Sequence, residues 1–361
     1  MKEHLDRPMS RRRFLLRAAE LGLATGAVGI VGAGILAQQK PSPWDAAAFP
    51  PPGDTRVAVL RATGYNGDLE RTVMDGIRQV GAVDRVRGAS VLLKPNMVEF
   101  DPASVINTDP RLVAATVTVM HRLGARSVTV GEGPGHRRDT QYAAGTSGLL
   151  DLLRDAGATF VDLNTAALER VTLKSGYTQL GELWLPTAVT RADLVVSMPK
   201  MKTHHWGGVT LSLKNCFGAV PGRIYGWPKN VLHWAGLEQS ILDVAAAVRP
   251  GLAIVDGIVG MEGDGPIQGT PIAAGHVVIG TDPVAVDVTA ARLMNVDATR
   301  VFYISEAARF LGQGDPRHIT QVGEDPERSV TAFQLLPQFA NLRIGAPAQG
   351  GGGDHAKAAG G

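Results

Sequence analysis

The chain has 361 residues, of which 44% are apolar and 19% charged; this excludes a disordered or fibrous protein and leaves room for one large or two ordinary domains. Its formal charge of +2 belongs to the N-terminus: residues 1–40 hold seven Lys/Arg and three Asp/Glu, leaving 29 basic and 31 acidic residues elsewhere, so charge gives no ground for a nucleic-acid partner. A single cysteine, Cys216, excludes an internal disulfide and a Cys-ligated iron–sulfur cluster, which needs several thiolates.

Taken in chain order, the first forty residues read as a targeting segment. Ser10-Arg11-Arg12-Arg13-Phe14-Leu15-Leu16 resembles the twin-arginine export signal, Ser-Arg-Arg-x-Phe-Leu-Lys, and departs from it only at the last position. Leu21 to Ala37 carries no charge and five glycines, a weakly apolar stretch shorter than the 20 or so residues of a spanning helix. The expected partner in export is the twin-arginine translocase, and the expected location is periplasmic or otherwise extracytoplasmic. Whether residues 1–40 are cleaved or stay as an anchor is open. Five prolines between Pro41 and Pro52 predict a linker over 41–55.

The body, 56–345, alternates short apolar runs with helical spacing. Strands are expected at 57–60, 90–93, 127–130, 159–163, 194–198, 252–255 and 276–279. Helices are expected at 69–80 and 110–123 with Asp68 and Asp109 as caps, at 147–155 closed by Gly157, and at 231–248, 283–293 and 300–310. Such alternation predicts an α/β fold: one three-layer domain around a mainly parallel or mixed sheet, with an inserted or capping segment near 200–230. Residues 346–361, rich in Gly and Ala, read as a disordered tail.

In open α/β sheets ligands collect beyond the carboxyl ends of the strands, and five polar clusters fall just after expected strands. Lys94-Pro95-Asn96 offers a cation and a carboxamide, or else a plain turn. Gly131 to His136 is a glycine-rich loop carrying Glu132; its spacing is not the dinucleotide fingerprint. Between Leu194 and Leu237 there is no Asp or Glu, yet Lys200, Lys202, Lys214, Lys229, Arg223, His204, His205 and His233 all lie there, with Trp206, Trp227, Trp234 and Tyr225. Cations without acids suggest an anionic ligand, and the aromatics suit a lid or a subunit interface. The loop expected at 256–266 brings Asp256, Glu262 and Asp264, oxygen donors fit for a hard divalent cation or merely solvated. Asp282-Pro283 reads as a helix cap, whereas Asp287 sits among apolar neighbours, where a carboxylate must pair or coordinate. Cys216 reads as a small buried hydrophobe, and serine-hydrolase and zinc motifs are absent.

These clusters, in this order over about 56–315, resemble the family called domain of unknown function 362. The match rests on Lys94-Pro95-Asn96, Gly131-Glu132-Gly133, Pro199-Lys200-Met201-Lys202-Thr203-His204, Leu213-Lys214-Asn215, Asp256 to Gly263 and Gly280 to Asp287. The resemblance implies no settled activity; a ferredoxin-like module in some members hints at redox chemistry, and this chain lacks its cysteines. The leading expectation is an exported enzyme acting on a small anionic substrate with a divalent metal. Lys94, Asn96, Lys200, Lys202, Lys214 and Asn215 would bind the anion. Asp256, Glu262 and Asp287 would hold the metal, and His204, Glu262 and Asp287 would act in catalysis, His204 as proton carrier. The rival is a non-catalytic protein that captures an anion or cofactor for an exported redox partner; a structural subunit presenting Trp206 and Trp227 is the third reading.

Overall fold

The computed structural model describes residues 42–135 and 139–347. The chain divides into two units, Met1–Pro43 and Trp44–Gly361; the export signal, His136 and all but the first two residues of the expected tail lie outside the described residues. The second unit is built on twelve strands: β1 (Thr55–Arg61), β2 (Ser90–Pro95), β3 (Ser127–Glu132), β4 (Thr159–Asp162), β5 (Leu168–Thr172), β6 (Glu182–Pro186), β7 (Leu194–Met198), β8 (Lys200–His204), β9 (Gly208–Thr210), β10 (Leu252–Glu262), β11 (Thr270–Gly280) and β12 (Ile319–Gly323). Ten form one open, mixed and mainly parallel sheet in the order β12-β1-β11-β10-β7-β2-β3-β4, with β8 alongside β10 and β9 alongside β8; β5 and β6 form a separate hairpin. Only β1–β11, β10–β11 and β8–β9 pair antiparallel in the large sheet.

Strand period sorts the core into two layers. Val91 and Leu93 of β2, and Leu194, Val196 and Met198 of β7, face helices Leu69–Gln79, Pro110–Arg122 and Leu149–Ala156. Leu92, Val195, Ala253 and Val255 face helices Leu237–Val248, Pro283–Leu293 and Phe302–Ala307. Several helix starts are written locally: Asp109 Oδ1 accepts from the Arg111 amide at 2.9 Å, and Asp282 Oδ1 from those of Val284 and Ala285 at 2.9 and 3.1 Å, each ahead of a first-turn proline. Among the described residues no helix is long and apolar enough to cross a membrane.

The structure corrects four expectations. The Pro-rich segment is docked, since Trp44 stacks on Phe310 at 4.8 Å and Phe49 is buried edge-on against the same ring. The expected helix 231–248 is two helices, Asn230–Trp234 and Leu237–Val248, broken at Gly236, whose φ of 98° is helix-incompatible. The segment 200–230 does not begin as a cap, because β8 and β9 belong to the sheet; only the short turns from Ser212 onward lie over the strand ends. The acidic loop is mostly strand. β10 runs on to Glu262 and pairs with β11 from Ala253↔Gly280 to Glu262↔Thr270. Its glycines serve close packing rather than flexibility: a Cβ on Gly257 would lie 2.7 Å from Met201 Cε.

Candidate functional site

The chain runs outward from β2 to β3 and β4 on one side and returns through β7 and β10 on the other. The junction of β2 and β7 is therefore the topological switch point, the place beyond the carboxyl ends of the strands where open α/β sheets gather ligands. Lys94 stands at the end of β2 and Glu132 at the end of β3. Their side chains form an ion pair, both 1% exposed. Lys94 Nζ also donates to Pro95 O at 2.8 Å and to Asn215 Oδ1 at 3.1 Å. Asn215 in turn donates to Lys94 O at 2.9 Å and Ser197 Oγ at 3.0 Å, tying the ends of β2 and β7 to the turn Ser212–Asn215. Burial pushes the Glu132 carboxyl upward while Lys94 and Lys229 pull it back; the Lys94 amine in direct contact favours the carboxylate form.

Strand β8 supplies the next row. On an extended chain Lys200, Lys202 and His204 share one face and Met201 and Thr203 the other, and Met201 is in the apolar core. Lys200 Nζ pairs with Asp256 Oδ2 at 2.6 Å and donates to Tyr65 Oη at 2.9 Å and Val259 O at 3.1 Å. Tyr65 Oη donates to Asp256 Oδ1 at 2.8 Å, and burial with this carboxylate beside it drives the phenol's pKa far upward. Among the described residues Lys202 Nζ reaches two carbonyls, Ile106 O at 2.9 Å and Pro266 O at 3.3 Å, and no carboxylate. Burial and the nearby cations Lys214, Lys200 and Lys94 hold its pKa well below the ordinary lysine value. Thr210, opposite Lys202 in the β8–β9 register, has a buried hydroxyl with no partner among the described residues. Cross-strand neighbours stand on the same face, so this hydroxyl lies beside Lys202.

Two further lysines complete the cluster. Lys229 Nζ is buried against Gly133 O at 2.7 Å and Phe217 O at 2.9 Å, and burial lowers its pKa to about 7. Lys214 is half-buried, and desolvation lowers it to about 8. Its ammonium has no hydrogen-bond acceptor among the described residues and stands 5.9 Å from the centre of the Phe217 ring. The Lys214 charge is felt at Lys202, His204, His233 and Lys229, so it sits at the centre of the group. Trp206, 60% exposed, meets His233 edge-on at 5.6 Å, and Phe217 meets it at 5.6 Å from another side.

His204 takes a different role from the one expected. Its Nδ1 accepts from the Trp206 and Gly207 amides at 3.0 and 3.2 Å, so the ring proton sits on Nε2. Burial and the surrounding cations, Lys214 foremost, oppose a second proton. The ring is thus a neutral hydrogen-bond donor at Nε2, not a proton carrier. His233 is the opposite tautomer: its Nδ1 faces Lys229 O at 3.1 Å and donates to it, leaving a free lone pair on Nε2.

The three carboxylates expected around a metal do not meet. Asp256 is held by Lys200, Tyr65 and the Asp109 amide. Asp287 accepts from the Ser212 and Leu213 amides at 2.7 and 3.0 Å, and burial lifts its pKa to about 7. It fixes the turn that carries Lys214 and Asn215 rather than pairing with a lysine. Glu262 accepts from the Gln334 amide at 2.7 Å. Among the described residues no group of three or more His, Cys, Asp or Glu has a metal-binding arrangement. Asn96 lies beside the cluster, with its N–H on Thr108 Oγ1 and its buried Oδ1 unpartnered among the described residues. Cys216 is fully buried, as expected. Sequence reading did not foresee the Glu132 ion pair and counted Lys229 and His233 only among the cations of the acid-free stretch; the alternation in Lys200-Met201-Lys202-Thr203-His204 was the one signal that could have placed β8.

Residues 91–292, which contain the whole cluster, match the model of a domain of unknown function, DUF362. The chain belongs to the DUF362 family. A thylakoid-associated protein of Synechocystis sp. is 28% identical to this DUF362 protein over 257 residues, covering 68% of this chain and 76% of the relative. Among solved structures, the lactate racemase apoprotein of Thermoanaerobacterium thermosaccharolyticum superposes with a TM-score of 0.40 at 13% identity, over 61% of this chain and 54% of that one. A Thermotoga maritima protein gives 0.30 at 12%, over 60% and 57%. The DUF362 chain thus spans little more than half the length of these solved structures.

Proposed function

We propose that this DUF362 protein is exported by the twin-arginine route and binds a small anion at the switch point, through Lys202 and Lys214 with Lys94, Lys229, Thr210 and the Nε2–H of His204 around them. The observation that carries the reading is the half-buried Lys214 ammonium, set among other cations with no hydrogen-bond acceptor among the described residues. Ammonium groups removed from water are stable only when paired, hydrogen-bonded or deprotonated, and an entering anion supplies the missing partner. Lys200 is a supporting residue here, because Asp256 already neutralises it. The carboxylates all hold protein donors, so the reading is anion capture by lysines, with the acids as scaffold. The name of the Synechocystis relative is compatible with an extracytoplasmic place.

Isothermal titration with inorganic phosphate, sulfate and small carboxylates tests the site. Lys202→Met and Lys214→Met should each weaken binding at least tenfold, with Arg154→Ala, far from the switch point on an exposed helix, unchanged. Equal affinity in all three would remove the basis of the reading. Export is tested separately: Arg11→Lys/Arg12→Lys should retain the full-length chain inside the cell, and unaltered export would dismiss the twin-arginine route.

A further inference from the structure

The five lysines of the cluster are not equivalent. Lys94 is taken up by Glu132 and Lys200 by Asp256, while Lys202 and Lys229 each hold two carbonyl oxygens. Lys214 alone among the five has a nitrogen bound to nothing among the described residues, and it alone is partly open to solvent. Its stem is fixed: the turn beneath it is pinned by Asp287, and a Cβ on Gly207 would lie 3.4 Å from Lys214 Cε. The Gly207 amide is also one of the two that orient His204. The Lys214 charge acts on both imidazoles, His204 and His233; the first is an N–H donor at Nε2 and the second carries its lone pair on Nε2.

We propose that Lys214 is a nucleophilic amine that forms an imine with the carbonyl carbon of a small oxo acid whose carboxylate rests on the neighbouring cations. The proposal rests on the anion-binding reading and names the class of anion. A lysine desolvated beside other cations is the environment that frees the amine lone pair, and burial here acts in that direction. In the reaction, neutral Lys214 Nζ bonds to the carbonyl carbon. The C=O π pair moves to oxygen, which accepts a hydrogen bond from His204 Nε2–H and takes a proton from solvent. The ammonium so formed on Nζ gives a proton to His233 Nε2. The carbinolamine then loses hydroxide, which takes the proton back from His233 and leaves as water; the nitrogen lone pair forms the C=N bond, and the protonated imine remains. One water is released per imine and nothing is oxidised or reduced.

The test is reductive trapping on the whole exported chain. The protein is incubated at pH 7 with glyoxylate and cyanoborohydride, which reduces an imine to a stable secondary amine, and adducts are mapped by peptide mass spectrometry. With Lys214 near 8 against about 10.4 for an ordinary lysine, its neutral fraction at pH 7 is on the order of 10² higher. Allowing for weaker intrinsic nucleophilicity, Lys214 should be modified at least about tenfold faster than exposed Lys174. Phosphate should protect it, and Lys214→Arg should remove the fast adduct while keeping the charge. His233→Ala should slow the adduct without abolishing phosphate binding. If phosphate binds as proposed but Lys214 is modified no faster than Lys174, the imine is refuted and the anion site stands. If neither phosphate binding nor a fast adduct is seen, both readings fall.

Discussion

The Lys94–Glu132 pair permits a quantitative test, because both side chains are 1% exposed and sit beside other cations. In Glu132→Gln the shape of the side chain persists but its charge is lost. Lys94 keeps Pro95 O and Asn215 Oδ1, neither of which neutralises it, and Lys229 loses the nearest acid that favours its charged form. Removing one partner of a buried ion pair costs about 3–5 kcal/mol. Unfolding entropy near 60 °C is about 0.6 kcal/mol/K for a domain of roughly 300 residues, so the expected fall in Tm by scanning calorimetry is about 5–8 °C. Lys94→Met/Glu132→Gln should recover much of the loss, because no unpaired charge is then buried. Phosphate should stabilise Glu132→Gln more than the parent, since the variant has one more cation for an anion to satisfy. A Glu132→Gln protein that melts within about 1 °C of the parent, or a double variant no better than the sum of the singles, would refute the ionised pair as the centre of the site.

Gly218→Ala should lower the Tm by the equivalent of about 1–3 kcal/mol, the usual cost of overpacking, because its Cβ would collide with Glu132 Oε1 and Lys94 Nζ; phosphate affinity should drop with it in titration calorimetry. Asp287→Ala leaves the buried Ser212 and Leu213 amides unpaired and should cost about 2–5 kcal/mol by urea unfolding. The folded pKa of Asp287, about 7, lies above its unfolded value, so its contribution is full below about pH 4 and is lost as pH rises through 7; relative to Asp287→Asn, the parent should lose stability across pH 4–7. Lys229 and Lys214, near 7 and 8, are charged below those values, so phosphate affinity should fall as pH rises from 6 to 9. Titration in buffers of different ionisation enthalpy should show proton uptake on binding, and Lys214→Met should diminish it.

Much of the fold was legible because its signals are local. Asp109-Pro110 and Asp282-Pro283 mark helix starts whatever surrounds them, and the apolar runs at β2, β3 and β7 are what buried parallel strands require. The site was legible in composition but not in geometry. β8 escaped notice because a strand buried on both faces is expected to be apolar, and this one carries Lys200, Lys202 and His204. Asp287 was flagged by its setting, but its partners are main-chain amides 75 and 74 residues away, which side-chain pairing rules cannot find. Asp256 and Glu262 looked like neighbours on a loop; the continuation of β10 separates them along a strand and gives each its own donor.

The placement of the cations argues that they were not kept for folding. Folding alone disfavours a buried ammonium without a counter-ion, and replacing such groups by apolar residues is often neutral or stabilising. Here only two of the five clustered lysines pair directly with a carboxylate among the described residues, while the stretch from Leu194 to Leu237 contains no acid to pair with the rest. The scaffold nevertheless fixes each lysine separately: Asn215 ties Lys94 to Ser197, Asp287 pins the turn under Lys214, and Gly133 and Phe217 hold Lys229. Rigid support around an unneutralised charge is what a preorganised anion site needs, since the desolvation is met during folding and the ligand finds its partners already in place.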